Sequence, residues 1–527
     1  MTANNGRGSA KKYIWLLFAL LVVVAYFSGL TIPLLGPDEP RYTQVAREMF
    51  ERGDWVTPTL GGHNWFEKPA LLYWLQIASF HLFGVTEFAA RFGSALFGLG
   101  TVVSVWLLGR AVERKMPAEY AGSDFANWLA LIAASTIGII AFAHAASFDI
   151  VLTFPITASL VCFFIWELKN PNESASASPG PHFSASLIAF YLFIGLALLA
   201  KGLVGIVFPF AIVSFYYLLS WKFPSKALII SLFWGTALAV LVSCAWYVPM
   251  YQTHGWSFVD EFFIQHHFQR YTSNKYLHPQ PFFFFLWVLP LMTIPWLPFF
   301  IASLWNFIPK KAANIQVDTD REDNRSTSPS PLLLHSPSPL LKVRLFATAW
   351  LLVPLVFFSF SGSKLPGYVL PALPAAMILA GEYVWRFTYK NKSRRVIVQL
   401  VAAATLAIVF ISATFLVNEF AAHESVKALI EKADAEGHSK ERVINLFGMS
   451  HNSEFYAPGR LVRTPDGKQR MYFSVVEIVD ELKAKNETSC LVLVPLRHLE
   501  ILTKYPQTES AKIADNGEFA IMAVKIK

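Results

Sequence analysis

Charged side chains are scarce in this chain: Asp, Glu, Lys and Arg together supply 15% of its 527 residues, where soluble domains carry about a quarter. That shortage, with 54% hydrophobic residues and a mean hydropathy of +0.43, excludes an ordinary soluble globule and implies an integral membrane protein. Cysteine is scarce too. Cys162 and Cys244 sit inside apolar runs and Cys490 lies near the C-terminus, so no spacing suggests a disulfide framework or a thiolate metal cluster. A glycine-rich phosphate loop placed after a strand is missing, and no nucleotide cofactor is expected. The net charge of +8 is dispersed between apolar runs and forms no stripe, which argues against nucleic acid as a partner and for membrane orientation.

Long apolar runs, in contrast, are abundant. A bilayer core takes about 20 residues of helix to cross and tolerates no lipid-exposed irregular backbone. By that criterion about eleven spans are expected, and up to about 13 where short pairs split. Their approximate limits are 13–35, 87–109, 125–145, 150–168, 184–200, 203–220, 227–250, 282–305, 343–360, 368–385 and 396–417. The first follows Arg7, Lys11 and Lys12 as a signal peptide would, but it is long and lacks a small-residue cleavage site, so it reads as a retained span.

Cytoplasmic loops keep an excess of Lys and Arg. One set of loops holds the N-terminal cations, then Arg110, Arg114 and Lys115, Lys222 and Lys226, Lys310 and Lys311, and the group Arg386, Lys390, Lys392, Arg394 and Arg395. The opposite set, 36–86, 146–149, 251–281 and 361–367, is poorer in Lys and Arg for its length and is expected to face outward. An odd span count then places 418–527 outside as well. Segments 169–183 and 306–342 read as linkers, the second with a short SPSPLL duplication. Residues 418–527 return to soluble composition, and VINLF, SVVEIVDELKAK, CLVLV and FAIMAVKI suggest a small α/β domain. The expected division is thus a transmembrane domain 1–417, including outer loop 36–86, and an outer-face (periplasmic) domain 418–527 of an inner-membrane protein.

The ionisable exceptions fall on the outer face. Within the first outer loop, 40–52 and 69–83 have the apolar faces of helices lying at the interface. Asp38, followed by Glu39, is placed either to cap a helix or to act as a general base toward a hydroxyl, and both readings are open. Glu67 and Lys68, in WFEKP, suit a surface ion pair, or a point charge for a lipid phosphate beside a carboxylate available to a metal. His266, His267 and Arg270 fall within about one helical turn. Adjacent histidines diverge on a helix, so both cannot serve one metal, whereas one of them with the Glu67 carboxylate is a candidate pair for a divalent ion (Zn, Mg or Mn). Arg270 suits bidentate phosphate binding or snorkelling to headgroups. Lys364 and Tyr368 occupy a short outward loop, and Asp149 and Lys201 lie at outer ends of spans.

Taken together, GPDEPRYTQVAREMFERGDWVTP, WFEKPALLYWL, FGVTEFAARFGSALFG, SFDIVLTF, LLAKGLVGIVFP, HHFQRY and SGSKLPGYVLP resemble, in order and spacing over roughly 12–385, the GT-C glycosyltransferases. The similarity is to the bacterial group that includes aminoarabinose (lipid A) transferase and is related to the protein O-mannosyltransferases. It implies an α-helical polytopic membrane enzyme that inverts the anomeric carbon of a polyprenyl-phosphate sugar and delivers it to a lipid, glycan or protein acceptor at the outer surface. It assigns Asp38 the catalytic carboxylate role and brings Lys68, Arg270, Tyr368 and Lys364 to the carrier phosphate. Glu67 and His267, with His266 as the weaker alternative, take the metal position. A transporter or flippase of lipid-linked sugars is the competing class. It would place ionisable residues near the bilayer midplane, whereas here they lie at one edge.

Overall fold

A computed structural model describes residues 3–170, 184–269, 280–305 and 338–527. The chain opens with α1 (Ala3–Phe27), then α2 (Asp38–Arg52) and α3 (Leu71–Phe83) in the first outer loop, and α4 (Glu87–Glu113). There follow α5 (Phe125–Ala134), α6 (Ile137–Ala143), α7 (Phe148–Lys169), α8 (Ala185–Lys201), α9 (Val204–Leu219) and α10 (Lys226–Val259). The remaining apolar helices are Phe284–Met292, Leu297–Trp305, Pro339–Ser359, Leu373–Thr388 and Lys392–Ile411. Among the described residues, six helices are long and apolar enough to cross a membrane, and α5 with α6 forms a seventh candidate bent by 58°. α8 and α9, at 17 and 16 residues, are shorter than a full crossing.

Every expected apolar run is helical, but two boundaries differ for local reasons. The first helix stops at Phe27 rather than 35, because Gly29 takes a left-handed φ of +69° and turns the chain past Ala413. The run 282–305 is two short helices, since Pro290, Pro295 and Pro298 each remove a backbone donor there. Small residues let the helices approach. A Cβ on Gly235 of α10 would run into the Tyr191 ring of α8, and one on Gly109 of α4 would meet the Ala126 backbone of α5.

One buried ion pair holds the first outer loop onto this bundle. Arg91, in the first turns of α4 and only 1% exposed, donates to Glu39 through Nε at 2.6 Å and through the terminal nitrogen at 2.7 Å. Its guanidinium also donates to the carbonyls of Leu30 and Pro33, each at 3.0 Å, and to that of Ile32. Glu39 in turn accepts from the amides of Leu35 at 3.0 Å and Ala146 at 2.8 Å. The exit of α1, the start of α2 and the α6–α7 turn are thereby joined at one point. The first loop adds a two-residue hairpin, β1 (Thr59–Leu60) with β2 (His63–Asn64).

The C-terminal region forms a five-stranded mixed sheet from β3 (Val443–Leu446), β4 (Met471–Tyr472), β5 (Ser489–Pro495), β6 (Thr508–Asp515) and β7 (Phe519–Ile526), in spatial order β4-β3-β5-β7-β6. The β3 pairs are parallel and those of β7 antiparallel. Its helix Val475–Ala484 starts where Ser474 Oγ accepts from the Glu477 amide at 3.3 Å, a capping box written as S-x-x-E. The sheet unit is fastened to the membrane part at Tyr456, whose hydroxyl accepts from the Leu34 amide at 2.9 Å and donates to Glu87 at 3.0 Å. Lys427 pairs with the same Glu87 at 2.7 Å, and Arg47 of α2 donates to the Phe455 carbonyl at 3.2 Å.

Arg91→Met leaves the Glu39 carboxylate buried without its cation and is expected to destabilise the protein by about 3–5 kcal/mol. An unchanged midpoint of thermal unfolding in detergent would contradict that role. Gly235→Leu should cost about 1–3 kcal/mol by wedging α8 from α10, seen in the same measurement.

Candidate active site

A cavity of about 900 Å³ opens at the end of the bundle where the first outer loop, the α6–α7 turn, the start of α9 and the 361–368 turn meet. Asp38, Glu39, Glu67, Lys68, Asp149, Lys201, His266 and Tyr368 all line it, so residues far apart in sequence share one wall.

Asp38 is the first residue of α2 and makes no cap. Pro37, with φ −84° and ψ −30°, already has helical geometry, which removes the extended conformation that an N-cap requires. The helix-capping reading of Asp38 is therefore corrected. Its carboxylate, 55% exposed, lies 3.6 Å from the Arg41 guanidinium, and Arg41 stacks over Trp65 at 5.5 Å. The C-terminal region reaches this point as well. Desolvation, then the Arg41 guanidinium, holds the His451 imidazole below its ordinary range, while Glu454 and Asp38 oppose that shift.

Lys68 and Glu67 are paired at 3.1 Å and both are largely buried, which rules out a simple solvated surface pair. Asp149 sits in the first turn of α7, where its amide donates to Ser147 Oγ at 3.1 Å, and it is ion-paired to Lys201 at the C-terminal end of α8. The Lys201 ammonium stands 4.9 Å from the centroid of the Tyr368 ring. Gly367 makes this packing possible, since a Cβ there would collide with the Asp149 carboxylate. The wall thus carries two ammonium groups, each beside a carboxylate. Leu203, Val204 and Val207 of α9, with Phe357 and Phe358, continue it as an apolar surface. An anionic head beside the lysines and a hydrocarbon tail along that surface fit these two parts.

Two expectations change. Glu39 is fully engaged by Arg91 and two backbone amides, so its lone pairs serve the fold. Lys364 does not line the cavity, and its ammonium donates to the carbonyls of Ser361 at 2.7 Å and Gln280 at 3.0 Å, closing the turn. His266 and Glu67 both line the cavity, and among the described residues no three His, Cys, Asp or Glu side chains gather to hold a metal. Arg270 and the His267 side chain lie outside the described residues. Sequence reasoning missed Arg91 and also His144, whose Nε2 sits 3.0 Å from the Ala25 carbonyl at the cavity edge. An arginine inside an apolar span was the available signal for the first.

The protein family described as dolichyl-phosphate-mannose-protein mannosyltransferase (PMT) matches residues 9–259. The undecaprenyl phosphate-alpha-4-amino-4-deoxy-L-arabinose arabinosyl transferase of Yersinia enterocolitica is 29% identical over 379 residues, 72% of this chain. That of Aeromonas salmonicida is 28% identical over 359 residues, 67% of this chain. These matches span 59% and 56% of the relatives' own lengths. In fold, ArnT of Cupriavidus metallidurans, crystallised with undecaprenyl phosphate, superposes with a TM-score of 0.71 at 21% identity, covering 96% of this chain and 97% of that one. The archaeal oligosaccharyltransferase AglB of Archaeoglobus fulgidus gives 0.52 at 12% identity, covering 93% of this chain and 70% of that one. Over its N-terminal half the chain is thus similar in sequence to the protein mannosyltransferase family, over about two thirds of its length to the aminoarabinose transferases, and in fold to ArnT, a polytopic helical membrane protein with a small C-terminal sheet.

Proposed function

We propose that the chain is an inverting glycosyltransferase that moves a sugar from an undecaprenyl-phosphate-type carrier to a lipid, glycan or protein acceptor on the outer face of the inner membrane. The observation that carries this reading is the cavity itself, which sets Lys68 and Lys201 beside an apolar wall and opens toward an exposed carboxylate, Asp38. A carrier lipid has that division, one phosphate on a long hydrocarbon. Residues 418–527 act in this reading as an outer-face domain that covers α2.

In the proposed reaction the carrier phosphate lies against Lys68, Lys201 and Tyr368, with Arg270 as a further contact. Asp149 holds the Lys201 ammonium in place, and Glu67 does the same for Lys68. The bond from the anomeric carbon to the phosphate oxygen breaks, and its electron pair leaves on a phosphate whose growing charge the two ammonium groups offset. The acceptor oxygen attacks the opposite face of that carbon. A hydroxyl acceptor gives its proton to Asp38; an acceptor that is already anionic is only oriented. A transporter would need ionisable groups at the bilayer midplane, and the paired charges sit at the outer ends of α4, α7 and α8.

Transfer can be followed with purified protein and radiolabelled polyprenyl-phosphate sugars. Asp38→Asn is expected to slow the reaction by roughly 10²–10⁴-fold at unchanged donor affinity, and undiminished transfer would remove Asp38 from the chemistry. Lys68→Ala with Lys201→Ala should weaken donor binding by about 1.5–3 kcal/mol for each lost charged hydrogen bond, read by equilibrium binding of the carrier phosphate. Gly367→Ala should displace Asp149 and lower transfer with little change in unfolding temperature.

A further inference from the structure

On the face of the bundle away from the cavity, α7, α9 and the helix Pro339–Ser359 end together. Phe346 of the last helix stacks on Phe164 of α7 at 4.7 Å and meets Tyr216 of α9 edge-on at 5.5 Å. One turn nearer the helix ends, that packing brings together Glu167, Tyr217 and Lys342. Tyr217 donates to Glu167 at 2.8 Å. Lys342 is only 6% exposed, yet its ammonium makes no hydrogen bond or ion pair among the described residues. Glu167, Lys222 and Lys115 are the charged groups that act on it electrostatically. Among the described residues, three ammonium groups and one carboxylate therefore act on one another at this end of the bundle, and the excess is positive.

The loop beside it gives the pocket a setting. Trp221 and Phe223 flank Lys222 and are 93% and 96% exposed, in a turn where Trp221 takes a φ of +50°. Two such aromatics projecting from the end of an apolar helix belong at the headgroup level of a bilayer, where ring and acyl chain meet. A lipid seated there would bring a phosphate to the height of Lys222, with its hydrocarbon against the rings. We propose that Lys115, Lys222 and Lys342 form a binding site for the phosphate headgroup of an anionic phospholipid in the leaflet opposite the cavity. This site is separate from the one assigned to the carrier. By the distribution of Lys and Arg that leaflet is the cytoplasmic one, but the site itself does not depend on the direction of the chain.

Native mass spectrometry of the full chain, released from detergent after equilibration with equal amounts of phosphatidylglycerol, phosphatidylethanolamine and undecaprenyl phosphate, tests this directly. The expected result is one retained phosphatidylglycerol, lost by roughly ten-fold in Lys222→Gln/Lys342→Met. Because Lys342 is buried, the exposed pair Lys115→Gln/Lys222→Gln is measured alongside and should lose retention without a change in unfolding temperature. Equal retention in both variants would overturn the site. Retention of undecaprenyl phosphate that these variants abolish would reassign it to the carrier, and displacement of the lipid by millimolar inorganic phosphate alone would reduce it to a small-anion site; either overturns the proposal. Carrier binding at the cavity is read separately with Lys68→Ala, so failure of one site does not imply failure of the other.

Discussion

A guanidinium offers its donors in a fixed planar fork, and at Arg91 all of its recorded partners belong to segments that would otherwise drift apart. Two are the oxygens of Glu39, and the others are the carbonyls that follow α1. Glu39 completes the arrangement with the amides of Leu35 and Ala146. Nearly every lone pair and donor is satisfied, the condition under which a buried ion pair is tolerable at all. Asp38 precedes Glu39 by one residue, so its position is set by a neighbour that is locked in place. The carboxylate at the cavity mouth stays exposed because the adjacent one is consumed by the fold.

The same economy of pairs recurs along the cavity. Lys201 is held by Asp149, and Lys68 by Glu67. Each ammonium is oriented by its carboxylate, so little reorganisation remains for binding. Gly367 shows how tightly the parts fit, since the turn that carries Tyr368 approaches Asp149 only without a side chain. The C-terminal sheet is part of this frame: Tyr456 and Lys427 converge on Glu87, one turn before Arg91 on α4.

At the cavity Lys68 and Lys201 each have a carboxylate partner. At the opposite end Arg344 and Arg386 share Glu382, while Glu167 serves both Lys342 and Lys222. Pairing suits a site that must admit and release a phosphate. An unbalanced positive pocket beside exposed aromatics suits one that retains a headgroup.

Much of this was legible in the residues. Apolar runs marked the helices of the bundle, because hydrogen-bonding in hydrocarbon leaves helix as the only local solution, although among the described residues only six or seven are long enough to cross alone. Apolar runs found β3, β5 and β7 of the C-terminal sheet but not the short β4 or the largely exposed β6, and the misplaced charges Asp38, Lys68, Asp149 and Lys201 marked one face. What the chain alone did not reveal is which charge meets which. Glu39 and Asp38 are indistinguishable neighbours in sequence, and only the approach of Arg91, 52 residues on, separates a structural carboxylate from an available one. Lys364 looked as exposed as Lys201 until a turn folded it onto two carbonyls. Periodicity and hydropathy are properties of neighbours along the chain, so the sequence determined the helices and the face. Partner choice among buried charges depends on distances between helices, and that was decided by the tertiary structure.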